Sequence, residues 1–426
     1  MVNTMRNVTC RSRVITDVSV KVEWFGSCLD IADELWNKCF AANLEGRFWY
    51  YALEKSGLDD QFRYFYGLIT RGGMPIGIIP AFVMDVPMEL VAPAWFAKLL
   101  RIGGTVFPGL PYQRTFFVGS VCSDEGTIGL LPGISLESVL EPIQQAVELK
   151  AAQVKAPMIT WKDFPDSYRP GIAEIANKFG LWEMVSYPGT LIELKDGEKS
   201  SFLSGLKGSR RHNLLKKLKR SRKAVDLDVS VEPYPSPESL SEIFGLFWQT
   251  YERGKTKFEK LNLKFFQLLA EQSNTYFITL RKKDDGKMVA FMLCFKLGDR
   301  VINKFIGIDY HSPQDWYLYF RLWDAALDWV LTTGSTEFQG GQTGYRAKID
   351  VGHSLVPLTN FCKHRNRLVN YVYRTVAQDI TLSSLDDDLK VFLTAHPEAE
   401  SSSTGEGASQ APASFKIEEK QLALKK

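Results

Sequence analysis

Residues 275–307 read TYFITLRKKDDGKMVAFMLCFKLGDRVINKFIG, and this stretch specifies the architecture of the second half of the chain. Its aromatic and β-branched runs predict strands at 275–281, 287–295 and 300–307. Asp285-Gly286 between the first two runs is a strong hairpin signal, because glycine adopts the backbone conformation that a tight turn requires. The stretch therefore predicts three successive antiparallel strands.

The elements around these strands occur twice along the chain. In the second half, a helix at 263–271 precedes the strands, and a helix at 316–331 and a strand at 336–339 follow them. The first half repeats this order, with a helix, two strands, a long helix and a further strand predicted at 45–55, 62–70, 76–84, 136–156 and 158–161. Hairpins followed by a strand–helix–strand crossover indicate a mixed sheet. We therefore expect an α/β protein of two tandem mixed-sheet units with helices on both faces.

The length of 426 residues suits two domains of ordinary size with short extensions. We expect an N-terminal extension at 1–20, a first domain at 21–200 and a second domain at 201–384. A disordered tail is predicted at 385–426, where large apolar residues become rare. The first domain is expected to contain an inserted loop region at about 85–133.

The most apolar part of this insertion, 88–111, does not predict a membrane span. Lys98 and Arg101 lie in its middle, and prolines and glycines interrupt it. A buried helix followed by a glycine-rich loop is the favoured interpretation. An amphipathic segment that rests on a membrane surface is the alternative.

Other compositional signals concern location and metals. The N-terminus has no apolar run of the length of a secretory signal, so we expect a cytoplasmic protein. The 6 cysteines include no CxxC pair, and the 5 histidines show no ligand spacing with them. The sequence therefore predicts reduced thiols and no structural metal.

The segment 207–223, KGSRRHNLLKKLKRSRK, predicts a cationic helix. It contains nine Lys or Arg among seventeen residues and no acidic residue, and its leucines have helical spacing. Removing these nine from the net charge of +3 leaves a net charge of −6, so the positive charge is local. Such a helix suits a phosphate-bearing cosubstrate, an RNA, an acidic membrane surface or plain solvent. Lys207, Arg210 and Arg211 at its start are the candidates for binding a donor's phosphates.

The segment 339–348, QGGQTGYRAK, directly follows the last predicted strand. Its glycines predict a tight turn that other groups can approach closely. If this turn is a reaction edge, Tyr345 would return a proton to a leaving group, and Arg346 or Lys348 would hold a phosphate or carboxylate. A loop with nothing bound is the alternative.

These features together resemble the double-GNAT acyltransferases. The resemblance rests on the two mixed-sheet units, the basic helix, FWQTYERGKTKF at 247–258 and FQGGQTGYRAKIDVGHSLVP at 338–357. Within that superfamily, the chain is most similar to the Fem-type and cellulose-biosynthesis-type acetyltransferase-like proteins of bacteria, over roughly residues 20–380. The resemblance implies transfer of an acyl group from acyl-CoA or an aminoacyl-tRNA to an amine or hydroxyl.

The resemblance also implies a set of site residues. Gln342 and Tyr345 are implied as catalytic residues, and Trp248 and Lys255 are implied to lie beside the cleft. The remaining candidates for donor or substrate binding are Lys207, Arg210, Arg211, Gln339, Gly340, Gly341, Arg346 and Lys348.

Several expectations about ligands follow. No covalent nucleophile is obligatory for acyl transfer, and the chain has no GxSxG motif. We expect acyl-CoA as cosubstrate, with no permanently bound cofactor, and a small molecule or cell-envelope precursor as acceptor; tRNA is a possible donor, and DNA is not expected. The loop 307–315, where such folds hold a pyrophosphate, is poor in glycine and contains Asp309 and Asp315. This departure favours a donor gripped by side chains.

A second class of function stays open. The chain would then be a non-catalytic protein that holds RNA or an anionic membrane surface with its basic helix, because a fold alone does not choose between enzyme and scaffold.

Overall fold

The structure is a computed structural model that describes residues 19–40, 44–90, 94–105, 111–195, 197–254, 257 and 259–395. Its strands, numbered in chain order, are β1 Val20–Phe25, β2 Arg63–Arg71, β3 Met74–Pro87, β4 Tyr112–Val118, β5 Gly129–Leu130, β6 Met158–Pro165, β7 Trp182–Val185, β8 Gly189–Glu193, β9 Leu227–Glu232, β10 Thr275–Lys282, β11 Met288–Leu297, β12 Arg300–Ile308, β13 Glu337–Gln339, β14 Ser354–Val356 and β15 Leu358–His364. Its α-helices are α1 Asp33–Cys39, α2 Arg47–Lys55, α3 Ala94–Gly104, α4 Glu137–Gln153, α5 Arg169–Phe179, α6 Lys199–Gly205, α7 Gly208–Ala224, α8 Pro237–Arg253, α9 Leu263–Ala270, α10 Leu318–Thr332, α11 Tyr345–Asp350, α12 Arg367–Ala377, α13 Leu382–Leu385 and α14 Asp387–Ala395.

The strands form two sheets. The first has the order β1-β2-β3-β4-β6-β15-β7, with β5 beside β3, and the second has the order β14-β8-β13-β12-β11-β10-β9. Each sheet combines antiparallel hairpins with a parallel pair, β4 with β6 and β12 with β13. The predicted α/β fold of two mixed-sheet units is therefore confirmed, and the hairpin at Gly286, where φ is +71°, joins β10 to β11 as expected.

The two sheets exchange strands at their junction. β8 comes from the end of the first half but pairs with β13 and β14 in the second sheet. β15 comes late in the chain but pairs with β6 and β7 in the first sheet. A single cut at residue 200 therefore does not separate the two sheets, and the domain bounds 21–200 and 201–384 stay predictions.

The region 85–133 is more than an inserted loop. β3 continues to Pro87, and β4 lies in the first sheet between β3 and β6. The polar start of YQRTFFV at 112–118 conceals this strand in the sequence. The helix α3 also differs from the expected buried helix, because its Ile102 side chain is 60% exposed. No helix among the described residues is both long and apolar enough to cross a bilayer.

Helices cover both faces of each sheet, and one apolar core connects the two units. Trp49 of α2 contacts Phe265 of α9 and Phe295 of β11, with ring centroids 5.5 and 5.8 Å apart. All three side chains are fully buried. Burying one large apolar side chain contributes roughly 1.5–3 kcal/mol, so these contacts hold the two units in a fixed relation.

The predicted tail at 385–426 begins too early. Residues 387–395 form α14, whose Leu389 and Leu393 are buried in a cluster with Tyr345 and Ile349. The two leucines stand four residues apart, so they lie on one face of the helix. Residues 396–426 of the predicted tail and 1–18 of the N-terminal extension lie outside the described residues.

Candidate functional site

A cavity of about 1180 Å³ lies between the two units. One wall is a face of the first sheet, where alternate residues of a strand point to the same side. The residues of this wall include Gln113, Thr115, Phe117, Met158, Thr160, Lys162, Trp182, Met184, Asn360 and Cys362. The opposite wall comes from the second half, with β12, the turn 340–344 and the side of α8.

The strand β12 opens toward this cavity. Its pairing with β13 ends at Ile302 and Gln339, after which Gly340 and Gly341 turn away. Residues 303–306 and Ile308 of β12 then line the cavity. No described strand pairs with this part of the edge, although Ile308 N donates to Thr250 Oγ1 at 3.4 Å. An extended part of a substrate can therefore bond to the backbone at 303–306.

A bulge at Lys304 marks the point where β12 opens. Cys294 of β11 faces Asn303, whereas Leu293 faces Phe305, so Lys304 is the extra residue. A bulge redirects a side chain and is common beside active sites. Here it directs the Lys304 ammonium into the junction of the two units.

Lys304 is bonded to two carboxylates of the first half. Its Nζ lies 2.7 Å from Glu45 Oε1 and 3.0 Å from Asp124 Oδ2, and 4.4 Å from the centre of the Trp49 ring. Burial alone lowers the pKa of Lys304, but attraction to Asp124 and Glu45 outweighs it and raises the pKa above the usual value. Lys304 is therefore a permanent cation. The sequence analysis missed this group, although a lysine inside the apolar run VINKFIG was an available signal.

Lys348 of α11 lies beside the turn 340–344. Its Nζ donates to Gly341 O at 3.1 Å and to Gln342 O at 2.8 Å, and the residue lines the cavity. Burial lowers the pKa of Lys348 to about 7, and the charge of Asp124 opposes this only in part. A neutral amine has two N–H groups, which match the two carbonyls, and keeps a lone pair that can accept a proton. The binding of a phosphate or carboxylate by Lys348, for which it and Arg346 were the candidates, stays a prediction.

The glycines of the turn allow close packing against Asp124. Gly341 has φ of +68°, and a Cβ on it would lie 2.7 Å from Asp124 Oδ1. A Cβ on Gly340 would lie 2.7 Å from both His353 Cε1 and Thr190 Oγ1. The predicted tight turn is thus present, and it needs glycine at these two positions.

The two glutamines of the segment have different positions. The Gln342 side chain lines the cavity, and its Nε2 donates to Tyr187 O at 3.0 Å. Gln339 is buried within β13 and is not among the cavity-lining residues.

Tyr345 does not fit the catalytic role predicted for it. Its hydroxyl donates to Pro188 O at 2.9 Å, and its ring is fully buried in the cluster beneath α14. Burial raises the pKa of the phenol well above its usual value. Because Tyr345 does not line the cavity, it has no access to a leaving group there. Arg346 is also directed away, with its side chain 66% exposed and 3.6 Å from Asp350.

The candidates on the basic helix lie away from the cavity. The predicted helix is confirmed as α7, but Lys207, Arg210 and Arg211 do not line the cavity. Arg211 Nη1 instead donates to Ser204 O at 3.3 Å. Further along, Ser221 Oγ donates to Trp316 O at 2.5 Å, so α7 packs beside the turn that precedes α10.

The aromatic–basic cluster on α8 is only partly at the cavity. Phe247, Thr250 and Tyr251 line it, whereas Trp248 stacks on Tyr251 at 5.1 Å and donates to Glu252 at 2.9 Å from its Nε1. Lys255 lies outside the described residues.

A second charged group lies on the first-sheet wall. Lys162 pairs with Asp163, whose carboxylate also accepts a hydrogen bond from Ser186 Oγ. Glu259 from the second half lines the same part of the cavity and attracts Lys162. The sequence analysis missed this group, because Ser186 and Glu259 are far from Lys162 and Asp163 in the sequence.

The loop before α10 differs from a phosphate cradle. Asp309 accepts hydrogen bonds from Lys287 Nζ at 2.8 Å and from His311 N at 3.0 Å. Asp315 lies in the turn Gln314–Trp316, which ends before α10 begins at Leu318. No cluster of His, Cys, Asp and Glu among the described residues is suited to hold a metal ion.

Comparison with known proteins agrees with this architecture. Residues 190–376 match the FemAB-like family model, described as peptidoglycan biosynthesis/recognition. The crystal structure of FemX is similar at 11% identity and a TM-score of 0.51, covering 76% of this chain and 93% of that chain. No curated protein matches the sequence.

Two further solved structures have lower scores. L-PGS from Bacillus licheniformis has 12% identity and a TM-score of 0.48, covering 80% of this chain and 97% of that chain. A tandem GNAT protein from the clavulanic acid biosynthesis pathway has 10% identity and a TM-score of 0.49, covering 82% and 99%. Residues 190–376 thus carry a FemAB-like sequence pattern, and the fold of the chain is similar to that of FemX.

Proposed function

We propose that this protein is an acyltransferase that joins an activated acyl or aminoacyl group to an amine or hydroxyl in the cavity between its two units. The observation that carries the proposal is the open edge of β12, with its bulge at Lys304, facing Lys348 across one cavity. A carbonyl placed on this edge at residues 304–306 would meet backbone N–H groups that no described strand pairs with. Such donors stabilise the negative charge that develops on the carbonyl oxygen during acyl transfer.

Lys348 is the group that suits the proton transfer. An incoming ammonium must lose a proton before its nitrogen attacks the acyl carbon, and a base with a pKa near the working pH does this best. The nitrogen–carbon bond forms and the bond from carbon to the donor's sulfur or oxygen breaks. The ammonium loses two protons on the way to the amide: one passes through Lys348 to the leaving group, and the other is released to solvent. The buried position and the two backbone bonds of Lys348 support this role.

The acceptor would lie against the first-sheet wall. Asp124, Asp163 and Glu259 place carboxylates along the cavity, and Lys162 and Lys304 offset them only in part when Lys348 is neutral. This balance favours an acceptor that brings a cationic amine. The family description supports a cell-envelope precursor as the acceptor class.

The donor has two candidates. Acyl-CoA is the donor expected from the sequence. Aminoacyl-tRNA is favoured by the FemAB-like match and by the loop 308–317, which contains no glycine to cradle a pyrophosphate. The exposed cations of α7, Lys216, Lys219, Arg220 and Lys223 among them, suit a long polyanion.

A donor assay tests the proposal. Acetyl-CoA and aminoacyl-tRNA, each labelled in the acyl group, are offered with a cell-envelope peptide precursor, and product is followed by mass spectrometry. We expect transfer from one donor, and a loss of roughly 10²-fold or more in Lys348→Met, because a general base contributes about 10²–10⁴. Lys390→Met, at an exposed lysine of α14, is the matched control and should retain full activity. The proposal fails if neither donor is consumed, or if both variants keep wild-type rates.

Titration of α7 variants with tRNA and with acyl-CoA, at several salt concentrations, distinguishes the two donors. If tRNA lies along α7, Arg210→Ala, Lys219→Ala and Lys223→Ala should each weaken tRNA binding and reduce the slope of log affinity against log salt by roughly 0.7–0.9. A CoA-type donor would respond to Arg210→Ala alone. Indifference of all three variants to both donors would exclude α7 from donor binding.

A further inference from the structure

The helix α12 presents an apolar face to the exterior. Asn366 caps its start by accepting hydrogen bonds from the backbone N–H groups of Leu368 and Val369. The side chains of Leu368, Tyr371 and Val372 are 72%, 69% and 38% exposed. Spacings of three and four residues place them on one face of the helix. The opposite face is packed inward, where Asn370 Oδ1 accepts from Trp182 Nε1 at 3.0 Å.

Basic residues flank this apolar face. Arg365, Arg367 and Arg374 are exposed, and the sequence 358–378 contains no Asp or Glu. On a helix, a residue is rotated by about 100° from its neighbour, so Arg367 and Arg374 lie on the same side of the apolar face. Arg365 precedes the capping residue Asn366 at the start of the helix. The helix therefore combines exposed aliphatic and aromatic groups with arginines at their border.

The inner face of α12 contributes to the cavity wall. Tyr373 Oη donates to Gln113 Oε1 at 3.0 Å, and Tyr373, Val376 and Ala377 line the cavity. The apolar face with Leu368 and Tyr371 therefore lies on the outer side of the same helix.

The outer face of α12 presents these groups together. We define the rim surface as Leu368, Tyr371 and Val372, with the three bordering cations Arg365, Arg367 and Arg374. Asp379 is the first acidic residue after the helix, so positive charge prevails on this surface.

We propose that the rim surface docks on an anionic membrane surface, with its apolar side chains in the headgroup layer and its cations on the lipid phosphates. Contiguous exposed apolar groups bordered by Lys and Arg are the composition of helices that lie in a membrane interface. An apolar protein partner would not require three bordering cations. Because the inner face of α12 lines the cavity, docking would hold this wall of the cavity close to the bilayer. This proposal is independent of the donor and of the proposed reaction.

Co-sedimentation of the full-length chain with vesicles tests the docking. Vesicles of phosphatidylcholine alone are compared with vesicles of phosphatidylcholine and phosphatidylglycerol in equal parts. We expect the wild type to sediment with the anionic vesicles and to dissociate as salt is added. The double variant Leu368→Ser/Tyr371→Ser should reduce the bound fraction by roughly tenfold or more, since each exposed apolar group that enters the interface contributes to binding. Arg367→Gln/Arg374→Gln should reduce binding to the anionic vesicles alone.

Two controls make the result specific. Leu149→Ser removes a leucine of equal exposure, 68%, on α4, which packs on the opposite face of the first sheet. Lys219→Gln/Lys223→Gln removes charge from α7. Both should bind like the wild type, and all variants should melt within a few degrees of it because the changed residues are exposed.

Any of three results would overturn the proposal. The first is that the wild type stays in the supernatant with anionic vesicles. The second is that the α7 variant loses vesicle binding while the α12 variants keep it, and the third is that Leu149→Ser reduces the bound fraction as much as the α12 double variant does. A concentration-dependent dimer that Leu368→Ser/Tyr371→Ser dissociates, without any vesicle binding, would show instead that the rim surface joins two copies of the chain.

Discussion

Lys304 Nζ, on the bulge of the second sheet, lies 2.7 Å from Glu45 Oε1 in the first half of the chain. The side chains are 1% and 7% exposed, and Asp124 completes the group at 3.0 Å from the same Nζ. The two units are thus joined by a buried ionic group at the wall of the cavity. Site geometry and the relation between the units therefore depend on the same residues.

We predict that Lys304→Met destabilises the protein by about 3–5 kcal/mol, because it leaves two buried carboxylates without a cation. Urea unfolding measures the change. Arg114→Met is the control, since Arg114 pairs with Asp85 at the surface, where both side chains are about half exposed. A surface pair contributes only about 0–1 kcal/mol. Equal losses in the two variants would contradict the assigned role of Lys304.

The transfer rate is predicted to rise with pH through an apparent pKa of about 7, the pKa of Lys348. Lys348 is neutral and able to accept a proton only above this value. In Lys348→Arg, which keeps a charge at all working pH values, both the transfer rate and its rise with pH should be lost. If the rate of Lys348→Arg still rises with pH, another group is responsible for the titration.

Stability should respond to the same group with a known sign. The folded pKa of about 7 lies below the usual 10.5, so the unfolded chain binds more protons than the folded chain between these pH values. The contribution of Lys348 to the free energy of unfolding therefore increases as pH rises through this window. Comparison of wild type with Lys348→Met in urea from pH 7 to 10 measures it. Parallel curves for the two proteins would contradict the lowered pKa.

Gly341→Ala and Gly344→Ala are predicted to differ in activity more than in stability. Both glycines have positive φ, +68° and +63°, so an alanine costs each about 1–2 kcal/mol. A Cβ at Gly341 would also press on Asp124, whereas nothing lies within 4 Å of a Cβ at Gly344. We expect turnover to fall by roughly tenfold or more in Gly341→Ala, because small displacements of site groups are costly. Equal turnover in both variants would show that the position of Asp124 does not matter for activity.

Leu389→Ala is predicted to destabilise the fold by about 2–5 kcal/mol, the usual cost of emptying a buried leucine site. Leu389 is fully buried, whereas Val391 on the same helix is 58% exposed. Val391→Ala should change stability by less than about 0.5 kcal/mol. Thermal unfolding compares the two. A negligible loss of stability in Leu389→Ala would indicate that α14 belongs to the disordered tail that the sequence predicted.

Much of the local structure could be read from the sequence. Alternating apolar residues and the Asp285-Gly286 turn predicted the β10–β11 hairpin, because strand period and turn conformation are properties of neighbouring residues. The leucine spacing in 207–223 predicted α7 for the same reason. The mixed-sheet architecture followed from the order of these elements.

The site could not be read in this way. Tyr345 and Lys348 belong to one short helix, and the sequence offered equal reason to expect either residue at the site. In the structure the phenol of Tyr345 is buried against Pro188, whereas Lys348 lines the cavity. The pairs Lys304–Glu45 and Lys162–Glu259 join residues far apart in the chain. The sequence by itself determined the elements and their order, because helix and strand patterns depend on contacts within a few residues. Only the tertiary structure decided which polar groups meet and how their pKa values shift, because the packing of the two units against each other sets the neighbours and burial sets the pKa.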